Sequence, residues 1–270
     1  MQHAWLLALA LWLCSAAALG SGVVTPGTQA AAAPSVPSAV QPRVSYQVLV
    51  YDATVAGAPA GTATIALLRD DQGYRIIGQA KATGLWDALS PWRSKFRAHG
   101  TWHEGTPTPE QFQYNERGRD KRRRVQVSDG TLRVNKNGKQ RPDKPALPGV
   151  DVLAALFSSD RCEQVLDLHT GRRGYRLFAT SEVAGPSHGD SSCTYRVVDE
   201  DEDTFETKIQ FAQIDGLRFP RRIQISGAIA GVLKLRESKA HSRLCELKVE
   251  DFLEYLCSAD FRRESGPSPS

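Results

Sequence analysis

Gly185-Pro186-Ser187-His188-Gly189 spells G-x-S-x-G, the arrangement that in an α/β hydrolase lifts a nucleophilic serine onto a strained strand-to-helix turn. In this chain it falls between two β-prone runs, SEV and CTYRVV, within a stretch rich in Gly, Ser and Asp, and no helix follows. A hairpin loop is expected there, and no catalytic role is assigned to Ser187. His99 and His103 stand four apart, a spacing that suits a metal only on a helix. Ala98, Gly100, Thr101 and Trp102 around them read as strand, which would separate the two rings by about 13 Å. No metal or cofactor is expected.

Cys162, Cys193, Cys245 and Cys257 form an even set with no C-x2-C spacing, so two disulfides are expected in place of zinc. A Cys245–Cys257 bridge would tie the ends of a terminal helix and leave Cys162 for Cys193; the other pairings would drag that helix across the fold. In a simple meander Cys162 and Cys193 fall two strands apart, about 9.5 Å and too far to bridge. Either the loop 184–192 folds over or the strand ends splay.

The strongest charge feature is 116–124, ERGRDKRRR, joined by Arg133, Lys136, Lys139, Arg141 and Lys144. Lys121, Arg122, Arg123 and Arg124 are the candidate anion-binding rim for a phosphate-bearing envelope component; the alternative is a solvated hairpin whose charges keep an edge from aggregating. The acidic block 199–203 could offset that charge within the chain, and its contiguous carboxylates lack the alternation of a calcium loop. Trp86, Trp92 and Trp102 could line an amphiphile pocket or simply pack the core.

The elements that would position these groups are mostly strands. VSYQVLVYDATV, GTATIALLRD and GYRIIGQAKAT are followed by YRLFATSEV, CTYRVV, TFETKIQFAQI, LRFPRRIQIS and GVLKLRES, separated by turn residues such as Gly57-Ala58-Pro59 and Asp215-Gly216. Phe205, Ile209 and Phe211 share one face, as do Leu217, Phe219, Ile223 and Ile225, the period of antiparallel strands with one buried side. Phe112 and Tyr114 sit at even positions but Val125 and Val127 at odd ones, so a bulge or turn is expected near Gly118. Only VDVLAALFSS and ELKVEDFLEYLC carry helical spacing. The fold class is therefore mainly β, a single curved antiparallel meander or open barrel with two short helices.

The chain has 270 residues, 41% hydrophobic and 24% charged, with a formal charge of +4. That is enough for a full core and too balanced for a nucleic-acid binder. Residues 1–20 read as a signal peptide, with an uncharged apolar run from Ala4 to Leu19, and 21–42 as an Ala/Pro-rich linker. The β-rich domain is placed at 43–262 and a disordered tail at 263–270. The protein is expected in the periplasm, with no transmembrane span after signal cleavage.

The opening V-S-Y-Q-V, Gly57 and Gly61, Gly73-Tyr74-Arg75, Gly84-Leu85, PEQFQY at 109–114, ERGR at 116–119, GVDVLAAL at 149–156 and TGRRGYRL at 170–177 together resemble the exported bacterial family designated domain of unknown function 3108, over about residues 44–237. The likeness lies in ordered spacing and carries no catalytic signature. It implies a mainly antiparallel periplasmic β protein similar in general shape to open-barrel lipid carriers, and no established activity. A non-enzymatic module binding an amphiphile or an envelope partner is the expected function; a structural or scaffolding module and a hydrolase are the alternatives.

Overall fold

The computed structural model describes residues 46–70, 72–103, 106–158, 162–185, 190–214, 217–227 and 230–241. Alternation sets the pattern from the first strand, β1 (Tyr46–Val55), in which Leu49, Tyr51, Ala53 and Val55 are buried and Asp52 and Thr54 are partly exposed. Then follow β2 (Ala58–Arg69), β3 (Gly73–Ala82), the helix α1 (Leu85–Leu89), β4 (Trp92–His103), β5 (Thr106–Gly118), β6 (Arg122–Ser128) and β7 (Thr131–Lys136). The short strands β8 (Lys139–Gln140), β9 (Lys144–Pro145) and β10 (Val150–Asp151) lead into the helix α2 (Val152–Ser158). The chain continues through β11 (Val165–His169), β12 (Gly174–Ala184), β13 (Ser191–Asp199), β14 (Thr204–Ile214), β15 (Leu217–Ser226) and β16 (Gly231–His241).

Tight turns explain the meander. Ala56-Gly57, Asp129-Gly130 and Asn137-Gly138 all hold positive φ at both residues and join strands directly, as two-residue hairpins require when the turn must match the twist of its strands. At the parity change between Phe112 and Val125, β5 and β6 are joined by a turn after Gly118. Gly118 N–H donates to the Lys121 carbonyl at 2.7 Å, and Tyr114 then faces Val125.

Among the described residues all sixteen strands belong to one sheet, ordered β10-β11-β12-β13-β14-β15-β16-β1-β2-β3-β4-β5-β6-β7-β8 with β9 also on β7. Every pairing among these strands is antiparallel except β10 with β11. The first strand thus lies inside the sheet, between β16 and β2. The sheet is open, yet one edge rolls inward. The β10–β11 end packs against the concave face of β3, β5 and β6, where Phe112 meets the His169 ring edge-on at 6.2 Å. There a Cβ on Gly171, whose φ is 72°, would fall 2.8 Å from Val125 Cγ1. The edge is thus shielded without a ladder partner.

Helix α2 plugs the concave side, touching β3 and β15, with Phe157 edge-on to Tyr51 at 6.3 Å. Tyr51 in turn donates its hydroxyl to the Pro220 carbonyl at 2.8 Å, and burial raises its pKa. The expected helix over 152–158 is present. The one expected near 246–257 lies outside the described residues, as do Cys245, Cys257 and the Asp215-Gly216 turn. The second short helix is instead α1, which buries none of its residues.

Candidate functional site

Small side chains on three neighbouring strands, Ala53, Ala63 and Ala80, face Phe96, Leu156 and Phe157 and leave a gap between sheet and α2. The enclosed space is about 60 Å³, within a wider hollow that opens to solvent, and Thr54 and Thr62 are the polar residue types in its wall. Such a cavity holds apolar groups and offers no charge. Phe96 shapes it by lying over Gly78, where a Cβ would stand 2.2 Å from Phe96 Cε2 and 2.9 Å from the Thr64 carbonyl oxygen. Gly78→Ala should therefore push the ring into the gap and cost about 1–3 kcal/mol by overpacking, read as a fall in the urea midpoint; an unchanged midpoint would show that the ring moves aside freely.

Beneath α2 lies a buried polar cluster. Asp151 is fully buried, and its Oδ1 accepts from the Leu153 and Ala154 N–H groups at 3.0 Å each, capping α2. Burial pushes its pKa up to about 6 against the pull of those donors and of the Tyr74 hydroxyl. Burial raises the Tyr74 hydroxyl's own pKa, with Asp151 and Glu110 adding to the effect. Asp151 is paired in register with His169, whose Nδ1 accepts from Gly171 N–H at 3.1 Å and whose pKa burial lowers to about 4, against a hydrogen bond to Gly149. This cluster fixes the helix and the rolled edge.

The basic run is split by strand alternation. Arg123 and Lys121 both hold Glu116, at 3.1 and 2.9 Å, and Glu116 is buried. Arg122 and Arg124 are exposed on the opposite, convex face. There the register aligns Lys81, Arg93, Arg117 and Arg122 as direct neighbours across β3, β4, β5 and β6. The next row on that face is Gln79, Lys95, Asn115 and Arg124, and the one after is Ile77, Arg97, Gln113 and Gln126. Neither row nor its successor contains an acid. Lys81, Arg93, Lys95 and Arg97 were not singled out from sequence, although Arg93-x-Lys95-x-Arg97 is a period-two basic pattern. Asp87 in α1 and Asp120 in the turn after β5 border this end of the sheet.

The acidic block is occupied elsewhere. Arg173 pairs with Asp199, Glu200 and Asp201 at 3.1, 3.5 and 2.8 Å, while Asp199 Oδ1 accepts from the Asp201 and Asp203 N–H groups. It neutralises Arg173 and not the basic run. Cys162 and Cys193 are bridged, with Cα atoms 5.9 Å apart. Cys193 is paired opposite Glu182 on β12, whereas Cys162 precedes β11 and has left the sheet's track, so the splayed end brings the sulfurs together. Arg218 is buried beside them, its Nη2 3.7 Å from Cys193 Sγ and 2.9 Å from Ser191 Oγ, with the guanidinium 3.5 Å from the Phe211 ring centre.

His99 and His103 both lie on β4, as the strand pattern requires, and His99 Nδ1 is 3.5 Å from Glu110 Oε2. Trp92 lines the cavity, but Trp102 is at the far end of β4, against Tyr74 at 5.6 Å and Arg69 at 4.5 Å; the three tryptophans do not form one pocket. Ser187 lies outside the described residues. Among the described residues no three metal-ligating side chains gather, and no helix is long and apolar enough to cross a membrane.

The model of the family described as Protein of unknown function (DUF3108) matches residues 50–235. No curated protein matches the chain. Among solved structures, one similar to it is titled "Crystal Structure of Beta-barrel-like Protein of Domain of Unknown Function DUF1849 from Brucella abortus". The two are 11% identical, with 74% of this chain and 99% of that chain covered and a TM-score of 0.43.

Proposed function

The chain belongs to the DUF3108 family, and on that footing we propose that it is an exported, non-enzymatic envelope module that holds the apolar part of an amphiphile between its curved sheet and α2. The observation that carries this reading is the cavity, with alanines on the sheet side and Leu156 and Phe157 on the helix side. Its wall is almost wholly apolar and its mouth opens to solvent, so the end of an acyl chain can enter while the rest stays at the mouth. Export is supported by the uncharged apolar run from Ala4 to Leu19 and by the Cys162–Cys193 bridge, which persists in oxidising compartments.

The test is titration with a fluorescent fatty acid. The wild-type protein should give a saturable one-to-one signal, and Ala53→Phe, which fills the cavity from the sheet side, should weaken it at least tenfold while circular dichroism stays unchanged. Absence of uptake by the wild type, or equal uptake by the variant, would sink the proposal in favour of a scaffolding role.

A further inference from the structure

Two independent features meet at one end of the sheet. The first is the convex-face row Lys81, Arg93, Arg117 and Arg122, four cations in direct register on adjacent strands and all exposed. With strands about 4.8 Å apart, the row spans about 14 Å, and Lys95 and Arg124 extend it along the strands. The second is α1, which connects β3 to β4 at that same end. Its Leu85 and Leu89 are 68% and 59% exposed, while Trp86 from the same turn packs against Val55 and Ala60 and Arg119 donates to the Ala88 carbonyl at 3.3 Å. The helix is thus pinned on one side by an aromatic anchor and on the other by an arginine, with its leucines left pointing away from the protein.

Leu85 and Leu89 stand four residues apart on one short helix and are two of the four exposed large apolar side chains among the described residues. Beside a cation row they become a wedge: positive charge draws an anionic surface close, and apolar side chains enter its acyl boundary. A nucleic acid or a soluble polyanion would engage the row and leave the leucines unused. We propose that this end of the sheet docks on an anionic lipid surface, with the Lys81-Arg93-Arg117-Arg122 row on the headgroups and Leu85 and Leu89 inserted. Docking there has a geometric merit, since Ala80 and Trp92, which line the cavity, are the immediate chain neighbours of Lys81 and Arg93. The proposal stands on the surface alone and does not require that the cavity hold a ligand.

The full-length chain should co-sediment with phosphatidylglycerol-containing vesicles at low ionic strength and be released by salt. All proteins share the same amino terminus, so differences between variants report the surface. Changing the four cations to Gln should lower partitioning about fivefold per residue, and Leu85→Ser with Leu89→Ser should lower it about tenfold or more. Arg117→Lys should change little. Equal binding to neutral phosphatidylcholine vesicles would overturn the proposal, as would unchanged binding of the cation variant. So would a leucine variant that binds as the wild type does while inorganic polyphosphate displaces it, because that pattern marks a soluble polyanion site. Fatty-acid uptake measured without vesicles reads the cavity separately.

Discussion

Cys162→Ala with Cys193→Ala should lower the free energy of unfolding by about 4 kcal/mol. The bridge spans a sequence separation of 31 residues, and opening it releases the denatured chain from that loop. The folded state loses too. Cys193 is fully buried against a buried guanidinium, and deleting its sulfur removes one contact of Arg218, which also reaches Ser191 Oγ and the Phe211 face. Urea unfolding of oxidised wild type against the double variant measures the difference; a loss under about 1 kcal/mol would mean that the denatured chain already holds this loop together.

Asp151→Asn should make the protein more stable at pH 7, by about 3 kcal/mol. The folded-state pKa of Asp151, about 6 against an ordinary 3.8, means that the fold prefers the neutral acid. Its contribution is full below pH 3.8 and is lost as pH rises through about 6. His169 runs the other way. With its pKa lowered from 6.5 to about 4, its contribution is full above pH 6.5 and is lost as pH falls through about 4. In the wild type the two slopes oppose each other between about pH 4 and pH 6. Asparagine keeps an oxygen to cap α2 and has no charge to bury. The variant should therefore match the wild type near pH 4, surpass it at pH 7, and show the histidine's acid loss uncovered. A variant less stable than wild type at pH 7 would show that Tyr74 and the helix need the carboxylate itself. Thermal melts across this range decide the matter.

Much of the fold was legible because burial of one sheet face leaves a period of two. Ile209, Phe211, Ile223 and Ile225 mark β14 and β15, and the 152–157 spacing marks α2. The same period could not say which strands are neighbours, so the pairing of β1 with β16 left no trace in the local pattern. Helix α1 was invisible for a different reason: five residues with none buried have no apolar stripe to detect. The cavity was illegible because it is made by Ala53, Ala63 and Ala80, ordinary residues that matter only when the register sets them side by side. The run 121–124 is contiguous in sequence but split in space, since alternation sends Arg123 inward to Glu116 and Arg122 and Arg124 outward. The cations beside Arg122 come from three other strands, and only the ladder assembles them.

The interior place of β1 fixes the order of events when the chain folds. Tyr46 pairs with His241 and Val55 with Gly231, so one whole flank of the first strand has no partner until the last strand has been made. A chain emerging from its amino terminus can build the hairpins from β1 to β8 as it appears, but β1 must keep its outer row of N–H and C=O groups open throughout. Closing it brings together residues nearly a whole domain apart, the slow class of contact for which loop entropy is lost before any pairing is gained. Until then the open flank is a template for strands of other copies. The exposed interval is the wait for β16, whose pairing covers that flank.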